Sequence, residues 1–382
     1  MPLFSAQIQK QRRRLVRALM RLLFPKDHGL AGPARWMPRS GIYKILVCRT
    51  VHTLGDSLTL TPLLQEIGLA YPGAEVDIIN GCPAARGIFG RYVFVRRIFQ
   101  LPTHALRHPL GTLHAINAMR RDRYDLVIDP DPESQSGRLL ALKARTTYSL
   151  GFAGPSKSGR LTHEIAIPIA PSNKGKMPVY LLRSALGESS VKVEYPPLDI
   201  QISPVERRRG KEILRRLNAS QSIPSGGKRT IGIYAYATGR KNLSHAWWSR
   251  FLHVFEPAVR HYSLIEILPA FGQSLLDSRY QAFYSSDVRK LASVLGNLTL
   301  HISADCGLMH LASAAGARTV GIFTTTSSRE WGPYGNSSVA IDAAGIAPER
   351  VANRVLALLA EQSPCSPSDP VDVGVPHGLA PA

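Results

Sequence analysis

The stretch from Leu298 to Pro333, LTLHISADCGLMHLASAAGARTVGIFTTTSSREWGP, constrains this chain more than any other. An apolar run with β-branched residues ends at Asp305, Cys306-Gly307 breaks it, and Met309 to Ala315 reads as the small-residue turns of a helix. Gly316-Ala317 ends that helix, and Thr319 to Phe323 is a second apolar strand. The piece is therefore a βαβ unit whose helix starts just beyond a strand's carboxyl end. Unpaired N–H groups and the positive end of the dipole make such a start an anion site, and Gly307 lets a ligand approach the backbone. The same pattern also suits an ordinary turn in any α/β protein, with His310 a buried histidine satisfied by a neighbour.

At 382 residues the chain exceeds one ordinary core, which predicts two domains of about 150 to 180 residues. The net charge of +20 calls for an anionic partner: a phospholipid surface, a phosphorylated saccharide or nucleic acid. Aromatics are not interleaved with the basic runs and no nucleic-acid motif is present, so nucleic acid is not expected. Cys48, Cys82, Cys306 and Cys365 have neither C-x-x-C nor zinc spacing, which predicts a reduced compartment and no structural metal; no cofactor is expected either. No apolar run is long enough to span a membrane.

Residues 8 to 24 place Leu15, Ala18, Leu19, Leu22 and Leu23 on one helical face and Arg12, Arg13, Arg17 and Arg21 largely on another. Arg17 and Arg21 interrupt the apolar core that a signal peptide needs, so a helix lying on anionic lipid is expected, with a helix packed on the body as the alternative. From Lys44 strand and helix periods alternate: strands at KILVC, VDIIN and YDLVID, with a helix from Ser57 to Ala70. A proline-bearing hinge, 192 to 203, and a basic helix from Glu206 to Leu217 lead into a restart of the pattern. There TIGIY and SLIEIL are strands, with helices near Ala246 to Arg260 and Asp287 to Leu295. Val351 to Glu361 is a terminal helix that could cross back to the first domain. Such alternation implies parallel βαβ units. The expected division is 1–40 basic helix and linker, 41–200 first Rossmann-like domain, 201–362 second Rossmann-like domain with its terminal helix, and 363–382 disordered tail.

Three candidates for chemistry stand outside the opening stretch. Asp56 follows Gly55 at a strand end, where α/β folds keep ligands; an N-cap role would also account for it. The loop YATGRKNLS, Tyr236 to Ser244, offers Gly239 with Arg240 and Lys241 as a phosphate clamp or as a solvated basic loop. Asp129-Pro130-Asp131 follows an apolar strand, as metal-holding D-x-D motifs do, though a plain strand end reads the same way.

The string D-C-G-L-M-H-L-A, with E-W-G-P-Y-G after the next strand, resembles the ADP-heptose:lipopolysaccharide heptosyltransferases, glycosyltransferase family 9. The family usually has Ser or Thr where Cys306 stands. G-D-x-x-x-x-T-P, here Gly55 to Pro62, is similar to the family's first motif. The likeness runs roughly from Lys44 to Gly335. It implies a GT-B fold, two Rossmann-like doubly wound domains facing a central cleft. It also implies Asp56 as general base, with Lys241, Arg240, Asp305, Gly307, Leu308, Met309, His310 and Thr326 on the donor and no metal. Departures occur at three places: Arg49 lies one position farther from Gly55 than expected, Trp247-Trp248 replaces Trp-Pro, and only Thr326 survives of a G-P-T-D-P loop.

The resemblance therefore predicts an inverting glycosyltransferase that moves a heptose or related sugar from a nucleotide-diphosphate donor to a lipid-anchored saccharide of lipopolysaccharide-core type. Its expected place is cytoplasmic, peripheral at the inner face of the membrane and in contact with the anionic surface. The competing expectation is an inactive relative that serves as a saccharide-binding or scaffold protein.

Overall fold

The computed structural model of the chain describes residues 36–103, 107–188, 194–219 and 229–361. The basic helix expected at 8–24, nearly all of the loop before Thr230 and the tail expected at 363–382 lie outside them.

The first half runs β1 (Lys44–Arg49), α1 (Leu54–Leu58), α2 (Thr61–Ala70), β2 (Glu75–Asn80), α3 (Ala85–Phe89) and β3 (Val95–Gln100). It continues through α4 (Pro109–Arg120), β4 (Arg123–Asp129), α5 (Gln135–Lys143), β5 (Arg145–Ala153), β6 (His163–Ala166) and α6 (Lys176–Ala185). An extended linker leads into α7 (Pro204–Ala219), whose start is a reciprocal cap: Ser203 N donates to Glu206 Oε2 at 2.9 Å and Glu206 N to Ser203 Oγ at 3.3 Å. The second half runs β7 (Thr230–Tyr234), a 3-10 turn (Gly239–Lys241), α8 (His245–Ala258), β8 (Ser263–Ile267), β9 (Gln281–Phe283) and α9 (Val288–Leu295). It ends with β10 (Leu300–Ala304), α10 (Gly307–Ala314), β11 (Thr319–Phe323), α11 (Ser328–Trp331), β12 (Val339–Asp342) and α12 (Pro348–Ala360).

These strands make two six-stranded sheets, β3-β2-β1-β4-β5-β6 and β12-β11-β10-β7-β8-β9. Every pairing is parallel. Helices on both faces explain why TIGIY, SLIEI, LHISA and TVGIF are buried along their whole length rather than alternately. Both sheets share one strand order, so each reverses direction once, between β1 and β4 and between β7 and β10. Ligands of open α/β sheets sit beyond the strand ends at such reversals. The architecture is GT-B.

The halves are tied together beside the cleft. One apolar cluster joins Leu63 and Ile67 of the first half to Leu295 and Leu311 of the second. Ile200 N of the linker donates to Ala314 O at 2.9 Å. The Arg289 guanidinium reaches Gly87 O at 3.0 Å, Ile200 O at 2.7 Å and Glu206 Oε1 at 2.6 Å.

Three expectations are corrected. The helix expected from Ser57 to Ala70 is two helices, because the turn at Thr59 and Leu60 restarts with Pro62 in the first turn of α2. Asp56 is not an N-cap: Thr53 caps α1, its side chain accepting from Asp56 N. The terminal helix does not cross back within the described residues. Val351, Ala352 and Val355 of α12 pack with Trp248 and Phe251 of α8, and Arg250 Nε pairs with Glu349 Oε1 at 2.7 Å.

Candidate active site

At the first reversal, the loop after β1 carries Thr53 to Asp56 into the cleft. At the second, the loops after β7 and β10 carry Tyr234 to Lys241 and Asp305 to His310 toward it. Together they line a cavity of about 430 Å³, with Trp331 of α11 on its wall.

What lets the two halves meet here is glycine against glycine. A Cβ on Gly307 would lie 3.2 Å from Gly55 N, and one on Gly55 would lie 2.9 Å from His310 Cδ2. Real side-chain carbons rarely approach so closely, so only glycine at both places allows the first turns of α1 and α10 to abut. The consequence is chemical. Asp56, from the first sheet, faces the electropositive start of α10, from the second.

Asp56 is oriented by its own turn. Thr53 Oγ1 donates to Asp56 Oδ2 at 2.5 Å, and Arg49 Nη2 lies 3.9 Å from Asp56 Oδ1. Across the cavity Lys241 Nζ pairs with Asp305 Oδ2 at 2.9 Å, and the same oxygen accepts a hydrogen bond from Thr326 Oγ1. Asp305 is therefore a fixed anchor that aims Lys241. The N-cap of α10 is a thiol, and Cys306 forms no capping hydrogen bond. Burial pushes the Cys306 thiol up in pKa, against a weaker pull from Ser303 and the amides of Leu308 and Met309. Sulfur is a weak acceptor, so an anion's oxygen would be the better partner for the helix amides.

His310 is buried, and its Nδ1 has no hydrogen-bond partner among the described residues. Burial lowers its pKa to about 4, with Asp305 and Asp56 pulling up and Lys241 pulling down. The imidazole is thus neutral at ordinary pH, and Trp331 packs against it edge-on at 6.4 Å between ring centres.

Of the residues expected on the donor, Lys241, Asp305, Gly307, Leu308 and His310 line the cavity. Thr326 reaches it only through Asp305, and Arg240 is an exposed side chain outside the lining. Met309 is fully buried, and its sulfur would lie 2.3 Å from a Cβ on Gly321, so only its backbone faces the turn. Sequence reasoning missed Tyr234, Tyr236 and Trp331 as wall residues. Their position in the loops flanking the motifs was the available signal. Outside the lining, Phe271 in the loop after β8 is half exposed and lies edge-on to Tyr236 at 5.1 Å between ring centres.

The D-x-D carboxylates are committed to cations. Asp129 is fully buried, with Lys157 Nζ at 2.7 Å and Arg138 Nε at 3.3 Å from Oδ2. Asp131 Oδ2 takes Arg49 Nη1 at 2.9 Å, and its other oxygen accepts the amides of Glu133 and Ser134 at 2.8 and 2.9 Å.

Comparison with known proteins adds three findings. Residues 286–358 match the family model of glycosyltransferase family 9 (heptosyltransferase). The chain is 21% identical over 306 residues to lipooligosaccharide heptosyltransferase 2 of Haemophilus influenzae, covering 75% of this chain and 85% of that one. Among solved structures, a family 9 glycosyl transferase from Veillonella parvula is similar with a TM-score of 0.67 at 15% identity, covering 85% of this chain and 99% of its own. The E. coli heptosyltransferase WaaC, solved with ADP, follows at 0.63 and 18%, with coverages of 83% and 99%. These last likenesses are likenesses of fold.

Proposed function

We propose that the chain is a family 9 glycosyltransferase and that it transfers a heptose from ADP-heptose, with inversion and without a metal, to a lipid-anchored saccharide of lipopolysaccharide-core type. The observation that carries this reading is the apposition of Asp56 to the α10 start and Lys241 across the Gly55–Gly307 contact. Asp56 takes the acceptor hydroxyl's proton as the oxygen bonds to the anomeric carbon. The bond to the donor phosphate breaks on the opposite face, and its electron pair leaves with the diphosphate. Attack and departure on opposite faces give inversion. Charge that grows on the leaving phosphate meets the amides of Gly307 to Met309 and the Lys241 ammonium, both held in place before the reaction. Neutral His310 contributes no charge of its own to that wall. The Haemophilus relative's name and the ADP in the WaaC structure support the donor and acceptor classes.

The test is release of nucleoside diphosphate from a panel of nucleotide sugars. ADP-heptose is expected to be hydrolysed fastest, and equally well in EDTA, because Asp129 and Asp131 are already paired with Lys157, Arg138 and Arg49. Loss of activity in EDTA with recovery in manganese would return D-P-D to a metal role. Donor binding without any turnover would instead favour the scaffold reading.

We also propose that the protein works at the inner face of the cytoplasmic membrane. Among the described residues no helix is long and apolar enough to cross a bilayer. Residues 1–40 hold nine Lys/Arg against Asp27 alone. At about 1 kcal/mol per cation near an anionic surface, four of them suffice for salt-sensitive binding. Deleting 1–40 is expected to weaken sedimentation with phosphatidylserine vesicles and to slow transfer to a lipid-borne acceptor, while transfer to a soluble acceptor fragment persists. Equal vesicle binding by both forms would exclude this segment as the contact.

A further inference from the structure

Arg49 stands between two carboxylates. Its side chain is 6% exposed, with Nη1 2.9 Å from Asp131 Oδ2 and Nη2 3.9 Å from Asp56 Oδ1. The first is a charge-assisted hydrogen bond, whereas the second is beyond hydrogen-bond length. Asp131 is itself immobile, because its other oxygen caps the loop through the Glu133 and Ser134 amides. The nearer carboxylate therefore decides where the guanidinium rests.

We propose that Asp131 is a positioning residue for the reaction: it holds the Arg49 guanidinium off Asp56, so that the Asp56 carboxylate keeps the lone pair that the acceptor's proton must reach. This rests on the reading of Asp56 as the base. A base in a direct bidentate pair with arginine has its charge neutralised and its oxygens occupied, and proton uptake becomes harder. At 3.9 Å the guanidinium is close to Asp56 without occupying either of its oxygens. Asp131 also offsets the charge of Arg49. Burial pushes Asp131 up in pKa, but Arg49 and the two amides outweigh it and bring it below the usual value. Asp131 is accordingly a carboxylate at ordinary pH and keeps its hold on the guanidinium.

The other groups around Asp56 are Thr53 from its own turn, His310 from α10, and Lys241 with Asp305 on the far wall. Among the described residues none of these groups forms an ion pair with Arg49 or Asp131, so the path of contacts from Asp131 to Asp56 runs through Arg49.

The experiment is the pH profile of kcat for ADP release from ADP-heptose with water as acceptor, for the wild type, Asp131→Asn, the double variant Arg49→Gln/Asp131→Asn, and Asp56→Asn. The asparagine at 131 keeps an oxygen for the two loop amides, so the loop should stay folded. Freed from Asp131, Arg49 swings onto Asp56. We expect kcat of Asp131→Asn to fall roughly 10- to 100-fold and its acidic limb to move down by roughly one pH unit, with KM for ADP-heptose nearly unchanged. The direction follows from the chemistry: a carboxylate paired with a cation stays deprotonated to lower pH and is the weaker base. Removing both charges should restore kcat to within a few-fold of the wild type. A fall in kcat with an unmoved acidic limb, or a double variant no better than the single one, overturns the positioning role while leaving Asp56 as the base. Undiminished turnover by Asp56→Asn overturns the base reading and this proposal with it.

Discussion

Asp56→Asn is expected to lower turnover by roughly 10²- to 10⁴-fold while the affinity for ADP changes little. The replacement is nearly isosteric, and its amide oxygen can still accept the Thr53 hydroxyl that now donates to Asp56 Oδ2 at 2.5 Å. The start of α1 is capped by Thr53 rather than by Asp56, so no cap is lost. The Gly55–Gly307 contact that seats α1 against α10 involves no atom of the changed side chain. What disappears is the ability to accept a proton in the transition state, which affects kcat and not ground-state binding. Steady-state kinetics beside calorimetric titration with ADP would show the split. Turnover near the wild-type level would remove Asp56 from its role.

The largest expected effect on stability is at Lys157→Met. Lys157 is 2% exposed, and its ammonium donates to Asp129 Oδ2 at 2.7 Å and to Ser134 O at 2.5 Å. Asp129 is wholly buried at the end of β4. Burial raises its pKa, and the pull of Lys157, then of Arg138, opposes that. Taking away the nearer cation leaves a buried carboxylate with Arg138 at 3.3 Å as its remaining partner. Breaking one side of a buried pair costs about 3–5 kcal/mol, which corresponds to a drop in thermal midpoint on the order of 10 °C. Lys157→Met/Asp129→Asn should recover at least half of that loss, since the uncompensated charge goes with the lysine. A single variant as stable as the wild type in thermal unfolding would show that the network carries no stability. Because Asp129 and Asp131 leave the same strand end, the single variant should also loosen the loop that holds Arg49.

How far the sequence could be read depended on burial. The central strands β1, β2, β4, β7, β8, β10 and β11 are continuous apolar runs, because helices cover both faces of the sheets, and each was legible. Strand β3, VRRIFQ, is a half-exposed edge strand with two arginines, and those arginines are held by Asp77 on the neighbouring strand. Nothing in a six-residue window announces that partnership. Likewise β5 begins with the polar run Arg-Thr-Thr, and β9 and β12 span only a few residues, too short for a period to emerge. The apolar face of α12 was visible at Val351 and Val355, but its docking on α8 was not, since periodicity tells which face is buried and not against what.

The candidate site divides in the same way. By itself the sequence determined the two Rossmann units, the placement of Gly55-Asp56 and Asp305-Cys306-Gly307 at strand ends, and the presence of cations in the loop after β7. Each of these depends on residues within a few positions of one another, where backbone geometry follows from local composition. Tertiary structure alone decided the pairings: Arg49 with Asp131 across 82 positions, Lys241 rather than Arg240 with Asp305, and Asp56 against the start of α10. The D-P-D string looked the same whether it held a metal or three ion pairs, because a short motif does not record which cations the fold brings to it. Coulomb energy depends on distance in space and on the water removed around the charges, and both are fixed only when the two sheets are formed and packed together.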